Sequence, residues 1–170
     1  YIDSEMLERL YQNLKKYQSD VSVCFWKEVH DLSGSLTDQE RVTEAECMDK
    51  VSAMRKMLYQ DRTDSCAWGK LFKRELFMEI RFPVQQIYED IAIMYHVFAL
   101  TEKVVFLEYP GYFYTQREAS IIHESFSERK MSLIDFVEEN ERFLCEKHPE
   151  LRAAAVSRTV RANFHIYLQI

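Results

Sequence analysis

The sequence predicts a helix-rich α/β domain, on three observations. Only three glycines and three prolines occur among 170 residues, where an average chain would carry roughly 12 per cent of the two together. So few turn formers suit long elements better than a sandwich of many short strands. Hydrophobic residues make up 47% of the chain, which supports a sizeable core and excludes disorder. Apolar residues also recur at helical spacing through several long segments, while a few short runs alternate as strands do. The expected architecture is a small mixed sheet, with strands near 21–29, 104–108 and 112–116, packed by helices and followed by a helical C-terminal tail.

Each element has a local reason. Asp3 or Ser4 can cap a first helix, in which Met6, Leu7, Leu10, Tyr11 and Leu14 form one face up to about Tyr17. Val21, Val23 and Phe25 alternate with Cys24 and Trp26, so both faces are apolar, as in a central strand. Asp31 to Gln39, with Gly34, reads as a surface turn or hairpin. Thr43 and Glu46 match a capping box for a helix running to about Tyr59. Asp61 to Ser65 is a loop, and Ala67 to Lys70 leads into a short helix over 73–78. Phe82-Pro83 opens an extended loop before a strong helix from Glu89 to about Leu100. Pro110-Gly111 is expected to turn the chain between two strands. Ser127 can cap a helix to Lys147, His148-Pro149 breaks it, and a last helix spans 150–170. All six glycines and prolines are expected in loops or at element boundaries.

Charge and motif absences exclude several functions. There are 22 basic against 28 acidic residues, a net charge of −6, and no Lys/Arg run is longer than a pair, so nucleic-acid binding is not expected. No stretch is long and apolar enough to span a membrane. The first residues, Tyr-Ile-Asp-Ser-Glu-Met, lack an initiator Met and a signal region, and read as a chain cut from something longer. Cysteines 24, 47, 66 and 145 form no C-x-x-C pair, so free thiols in a reducing, cytosolic compartment are expected. Three isolated glycines cannot build a dinucleotide fingerprint or a P-loop. Neither H-E-x-x-H nor G-x-S-x-G occurs, and no metal ligands are assigned within the chain. Of the five histidines, His96 falls inside a helix as a packing or surface residue, whereas His123 lies in a loop near Arg117.

Three clusters remain, each with two readings. In Ile87-Tyr88-Glu89-Asp90, the adjacent carboxylates either complement the positive end of a helix or supply a general base for a hydroxyl nucleophile. In Tyr112-Phe113-Tyr114-Thr115-Gln116-Arg117-Glu118-Ala119-Ser120-Ile121, the segment is either a core strand leading to a solvated Arg or a phosphate or sugar site. The second reading uses the donor fork of Arg117 and the aromatic faces. In Trp68-Gly69-Lys70-Leu71-Phe72, Trp68 either fills the core or serves as a sugar platform.

In this order, W-G-K-L-F-K-R-E-L-F, F-P-x-x-x-I-Y-E-D and Y-x-Y-x-x-R-x-x-S-I resemble the C-terminal half of bacterial family 2 glycosyltransferases of the GT-A fold. The segments are Trp68–Phe77, Phe82–Asp90 and Tyr112–Ile121. The opening Tyr1-Ile2-Asp3 and Met6 to Tyr11 resembles the stretch just after the family's Asp-any-Asp metal motif. The likeness covers roughly residues 1–125, leaving 126–170 as a helical extension. It implies that Asp90, with Glu89 beside it, deprotonates an acceptor hydroxyl that attacks the anomeric carbon of a nucleotide sugar with inversion. It places Trp68 and Tyr88 near the acceptor or donor sugar. Arg117 and Ser120 fall on a loop near the diphosphate, with His123 in the same segment. A role in polysaccharide biosynthesis follows, with a nucleotide sugar and a carbohydrate acceptor as partners. The location implied is the cytoplasm, with peripheral association at the inner face of the membrane left open.

The 170 residues contain no Asp-any-Asp; the resemblance puts that motif immediately before Tyr1. Mg or Mn is therefore expected in the full-length enzyme and not in this portion, which is expected to be inactive alone. Two alternatives come from other classes. One is a non-catalytic helical interaction module, with Glu89 and Asp90 as helix-start charge only. The other is a hydrolase using both carboxylates, disfavoured because neighbours in sequence diverge on a helix.

Overall fold

A computed structural model of the chain describes residues 1–30, 36–37, 44–116 and 126–170. They form two compact units, each assembled from separate stretches of chain: the described residues of Tyr1–Asp49, Ala67–Glu75 and Thr101–Glu124 in the first, and of Lys50–Cys66, Leu76–Leu100 and Ser125–Ile170 in the second. The fold is mixed α/β, helix-rich, with one small mixed sheet, as the composition predicts.

The first unit packs helix α1 (Met6–Tyr17) on strands β1 (Val21–Val29), β2 (Ala45–Asp49), β3 (Lys70–Phe72) and β4 (Lys103–Thr115), in the order β2-β4-β1-β3. Asp3 Oδ1 accepts the Glu5 N–H at 3.1 Å just ahead of α1, and Met6 and Leu10 face the core. The helix stops at Gln18, whose left-handed backbone turns its N–H onto the Leu14 and Lys15 carbonyls. β1 is internal, parallel to β4 and antiparallel to β3. Its first four residues are buried, so the two-sided apolar pattern was a sound signal. Asp20 secures its entry: Oδ2 accepts the Glu102 N–H at 2.7 Å and Oδ1 accepts from Lys73 Nζ at 2.7 Å. Burial alone would raise the Asp20 pKa, but these donors hold it below the ordinary carboxylate value.

Several local expectations differ from the structure. The capping-box helix does not start near Thr43, a residue outside those described. Ala45–Asp49 is a strand antiparallel to β4, and helix begins at Lys50. Glu44 to Asp49 carries no apolar repeat at helical spacing, and the open edge of β4 offers its backbone partners that a helix start lacks. The short helix expected over 73–78 is one 3-10 turn, Arg74–Phe77, and the three residues of β3 precede it. Pro110-Gly111 does not turn the chain: β4 is a single strand of 13 residues. Cys24 pairs with Leu107 and Trp26 with Tyr112, so β4 spends five positions where β1 spends two. Such a bulge accommodates a proline that cannot donate to the ladder. The Gly34 turn expected over 31–39 lies almost wholly outside the described residues.

The second unit is helical: α2 (Lys50–Tyr59), α3 (Glu89–Ala99), α4 (Ser132–Lys147) and α5 (Arg152–Tyr167). In α3, Ile91, Met94, Tyr95 and Phe98 are buried as the periodicity predicts, and Ile93 and Val97 are buried with them. Both broad faces of α3 are therefore covered. Asn140 Nδ2 donates to the Ile91 carbonyl at 2.7 Å, and Arg161 guanidinium nitrogens donate to the Leu58 and Tyr59 carbonyls at 2.5 and 3.2 Å. Glu128–Met131 forms a 3-10 turn before α4, so Ser127 starts that turn and not the α-helix. Pro149–Leu151 is a second 3-10 turn, which delays α5 to Arg152. No described helix is long and apolar enough to cross a membrane. All four cysteines are free thiols, and Cys24 is buried.

The bulge yields a test. An added Cβ at Gly111 would stand 2.6 Å from Tyr109 Cε1 and 2.9 Å from Met6 Cγ. The Tyr109 ring is pinned, its hydroxyl donating to Asp3 and the Arg9 guanidinium lying over it at 4.9 Å. Gly111→Ala should therefore cost about 1–3 kcal/mol, as overpacking does. The urea midpoint should fall with an unchanged slope.

Candidate functional site

Tyr88, Glu89 and Asp90 sit at the N-terminus of α3, within the second unit. The loop that delivers them contains two non-glycine residues in the left-handed region, Gln85 at φ 60° and Tyr88 at φ 63°. A bulky aromatic residue rarely adopts this conformation, and such outliers cluster where function requires a particular geometry. Here the left-handed Tyr88 aims the chain so that Asp90, in the first turn, folds its carboxylate back onto the helix. Asp90 Oδ1 accepts the Ile91 N–H at 2.7 Å. Asp90 is half-buried, whereas Glu89 and the preceding Gln85 and Gln86 are exposed. The two adjacent carboxylates thus differ in exposure, and sequence neighbours on a helix point in different directions, which disfavours a flanking pair of the hydrolase type.

Burial pushes the Asp90 carboxyl above its ordinary range. The Ile91 N–H opposes that shift, the negative charges of Glu89 and Asp64 reinforce it, and the Cys66 side chain, hydrogen-bonded to the carboxylate, opposes it. Asp64 and Cys66 belong to the loop after α2 and escaped the sequence reading. The signal available was Asp64-Ser65-Cys66, an Asx pattern in which a side-chain oxygen accepts a backbone N–H two residues on. Asp64 Oδ1 does accept the Cys66 N–H, at 3.0 Å. Burial also raises the phenol of Tyr88. That of Tyr95, wholly buried on α3, is raised by burial as well, against the opposing charge of Arg158.

Trp68 lies in the first unit. Its indole stacks on Tyr112 at 4.4 Å and Tyr114 at 5.5 Å between ring centroids, and meets Trp26 edge-on at 5.5 Å. Tyr112 and Tyr114 share one face of β4, and all four rings are half-buried. Gly69, at φ 69°, lets the Trp68 segment approach β1, where its carbonyl accepts the Cys24 N–H at 2.9 Å. Trp68 is therefore neither a fully buried core residue nor an isolated surface ring. It caps an aromatic layer, whose flat, weakly polar faces suit stacking against the C–H face of a sugar. Arg117, Ser120 and His123 lie outside the described residues. His96 packs against Phe143 at 4.3 Å, with burial lowering its pKa. Among the described residues no three His, Cys, Asp or Glu side chains are grouped to hold a metal ion.

No protein-family model matches the chain. Its sequence is similar to two proteins of Streptococcus pneumoniae. Glycosyltransferase GlyA is 28% identical over 165 residues, which is 87% of this chain and 23% of that protein. Glycosyltransferase GlyG is 26% identical over 133 residues, 74% of this chain and 44% of that protein. The fold resembles that of S. aureus TarS 1–349, whose crystal structure is in complex with UDP-GlcNAc, at a TM-score of 0.66 and 16% identity, over 99% of this chain and 46% of that one. The chain thus spans less than half the length of each of these relatives. The sequence is similar to proteins named glycosyltransferases, in line with the broad expectation drawn from its motifs, and the fold is similar to that of TarS.

The raised Asp90 pKa has a consequence for stability. The folded state keeps this proton to a higher pH than the unfolded chain does, so the contribution is complete below the unfolded Asp value and is lost as pH rises through the folded one. Asp90→Asn keeps an acceptor for the Ile91 N–H and removes that loss. The variant should melt above the wild type at neutral pH, and the difference should vanish in acid below the ordinary Asp range. Thermal unfolding across that pH window reads it directly.

Proposed function

We propose that the chain is the acceptor-side portion of an inverting, family 2-like glycosyltransferase of GT-A type, with Asp90 as general base. The observation that carries this reading is the Asp90 carboxyl itself. It is half-buried at the start of α3, held by a 2.7 Å bond from Ile91 N–H and shifted upward by burial. A carboxylate moved toward neutral pH is a better proton acceptor in water near pH 7 than an unperturbed one. A carboxylate present only to complement a helix terminus gains by ionising, and nothing in that role calls for a raised pKa.

In the proposed reaction an acceptor hydroxyl oxygen attacks the anomeric carbon from the side opposite the nucleoside diphosphate. The new C–O bond forms as the bond to the phosphate oxygen breaks, the hydroxyl proton passes to Asp90, and the configuration inverts. Glu89, exposed beside Asp90, adds negative charge that keeps the proton affinity of the base high. The Trp68 layer offers a stacking face for a sugar, and Tyr88 a phenol at the same helix start as the base. Arg117, Ser120 and His123 are assigned to the donor side by resemblance alone. The described residues do not fit the Mg or Mn that the resemblance implies, so no step is given to a metal. Residues 1–125 would complete the transferase domain, 126–170 would extend it, and donor binding would fall to other parts of a longer protein. A uridine diphosphate sugar, the class bound by TarS, is the first donor to test. The working location on this reading is the cytoplasm or the inner membrane face.

The decisive experiment uses the full-length gene product. Asp90→Asn should lower transfer by about 10²–10⁴-fold, the usual size of a general-base contribution, with circular dichroism unchanged. Retained transfer would favour the interaction-module reading instead. The 170-residue chain alone should release no nucleoside diphosphate from the sugar donor.

A further inference from the structure

The loop after α2 is not a slack connection. Thr63 and Ser65 are buried at 5% and 7% exposure, which anchors the backbone on either side of Asp64. Asp64 turns back to accept the Cys66 N–H at 3.0 Å. The Cys66 side chain then hydrogen-bonds Asp90, and Asp90 Oδ1 accepts the Ile91 N–H at 2.7 Å. One continuous path of contacts therefore runs from a buried loop to the first turn of α3. The Asp90 carboxylate is held by two donors from two different elements.

We propose that Asp64 and Cys66 are positioning residues for Asp90, an Asp–Cys–Asp relay that fixes the plane of the base and sets the balance of charge around it. This rests on the reading of Asp90 as the base. The choice of residue types fits the task. A thiol is a weak donor, so it orients a carboxylate without stabilising the anion as a Lys or Arg would. Asp64 fixes the thiol through the backbone of Cys66 and contributes a like charge that favours the protonated form of Asp90. The other titratable groups acting around Asp90 are Glu89, its neighbour on α3, and the buried Tyr95 further along that helix, with Arg158 of α5 beyond it. Asp64 and Cys66 thus push the base in opposite directions, one by charge and one by hydrogen bonding.

That opposition gives the test. In the full-length enzyme, the acid limb of the kcat/KM profile should move to lower pH in Asp64→Asn and to higher pH in Cys66→Ala. Cys66→Ala should also lower kcat by about tenfold or more at constant KM, the penalty of a loosened reacting group, and Cys66→Ser should return the limb toward wild type. A purely structural loop would depress activity at every pH without moving the limb. Carbon NMR titration of the Asp90 carboxyl supplies a readout independent of turnover, and should show the same opposite displacements. Carboxyl titrations that do not move in the two variants overturn the relay. Displaced titrations in a protein whose Asp90→Asn variant still transfers sugar overturn the base assignment, and the positioning role with it. The two failures are therefore distinct.

Discussion

The first unit depends on the bulge that β4 makes against β1. Strands that run parallel without a shift would carry Pro110 and Gly111 in the ladder, where proline lacks a donor and glycine lacks a side chain to pack. Spending five residues of β4 against two of β1 takes both out of regular pairing. It also frees the Gly111 carbonyl, which accepts the Asp3 N–H at 2.8 Å. Asp3 in turn receives the Tyr109 hydroxyl and the Glu5 N–H. The entry to α1 is thereby tied to the middle of β4, more than a hundred residues away. Burial, together with the Asp3 hydrogen bond, raises the Tyr109 phenol pKa well above its usual value, so this residue stays a donor throughout the physiological range. Cys24 lies in the same core cluster, its thiol pushed up to about 11 by burial, and is correspondingly unreactive.

The start of α3 shows a different economy. Its apolar residues are buried on most sides, and that packing over-determines the helix strongly enough to hold a left-handed tyrosine ahead of it. Conformations of this kind cost of order 1–3 kcal/mol each. The half-buried Asp90 adds a desolvation cost. Both run against stability, and both sit where the proposed function places a proton acceptor. On the proposed function, this cost would be of the kind found at catalytic sites, in which a group is kept less comfortable than the fold alone would leave it.

Several features were legible from residue order because they rest on local causes. The α1 repeat, the two-sided apolar β1, the α3 face and the His148-Pro149 break each express a periodicity or a backbone restriction confined to a dozen residues. The Trp68, Glu89-Asp90 and Tyr112–Tyr114 clusters were visible for a similar reason, since unusual residue types in short runs stand out against the rest. The sites missed had no local excess. Asp64 and Cys66 lie in a polar loop of ordinary composition, and only the fold brings that loop to Asp90. Trp26 read as one more apolar residue of a central strand, yet it closes the edge of the Trp68 layer.

By itself, the sequence determined the helix-rich class, the central strand and the long buried α3, because scarce glycine and strong periodicity limit what a backbone can do; the resemblance to glycosyltransferases was carried separately, by the Trp68, Glu89-Asp90 and Tyr112 motifs. Tertiary structure decided what local rules cannot weigh. Ala45–Asp49 became a strand because β4 presents an unpaired edge, and long-range hydrogen bonds outrank a capping signal. Pro110-Gly111 became a bulge because β1 continues past it on the other side. The chemical character of Asp90 was decided in the same way, since a carboxylate acquires its pKa from the groups packed around it, and Asp64 and Cys66 reach it only in the folded chain.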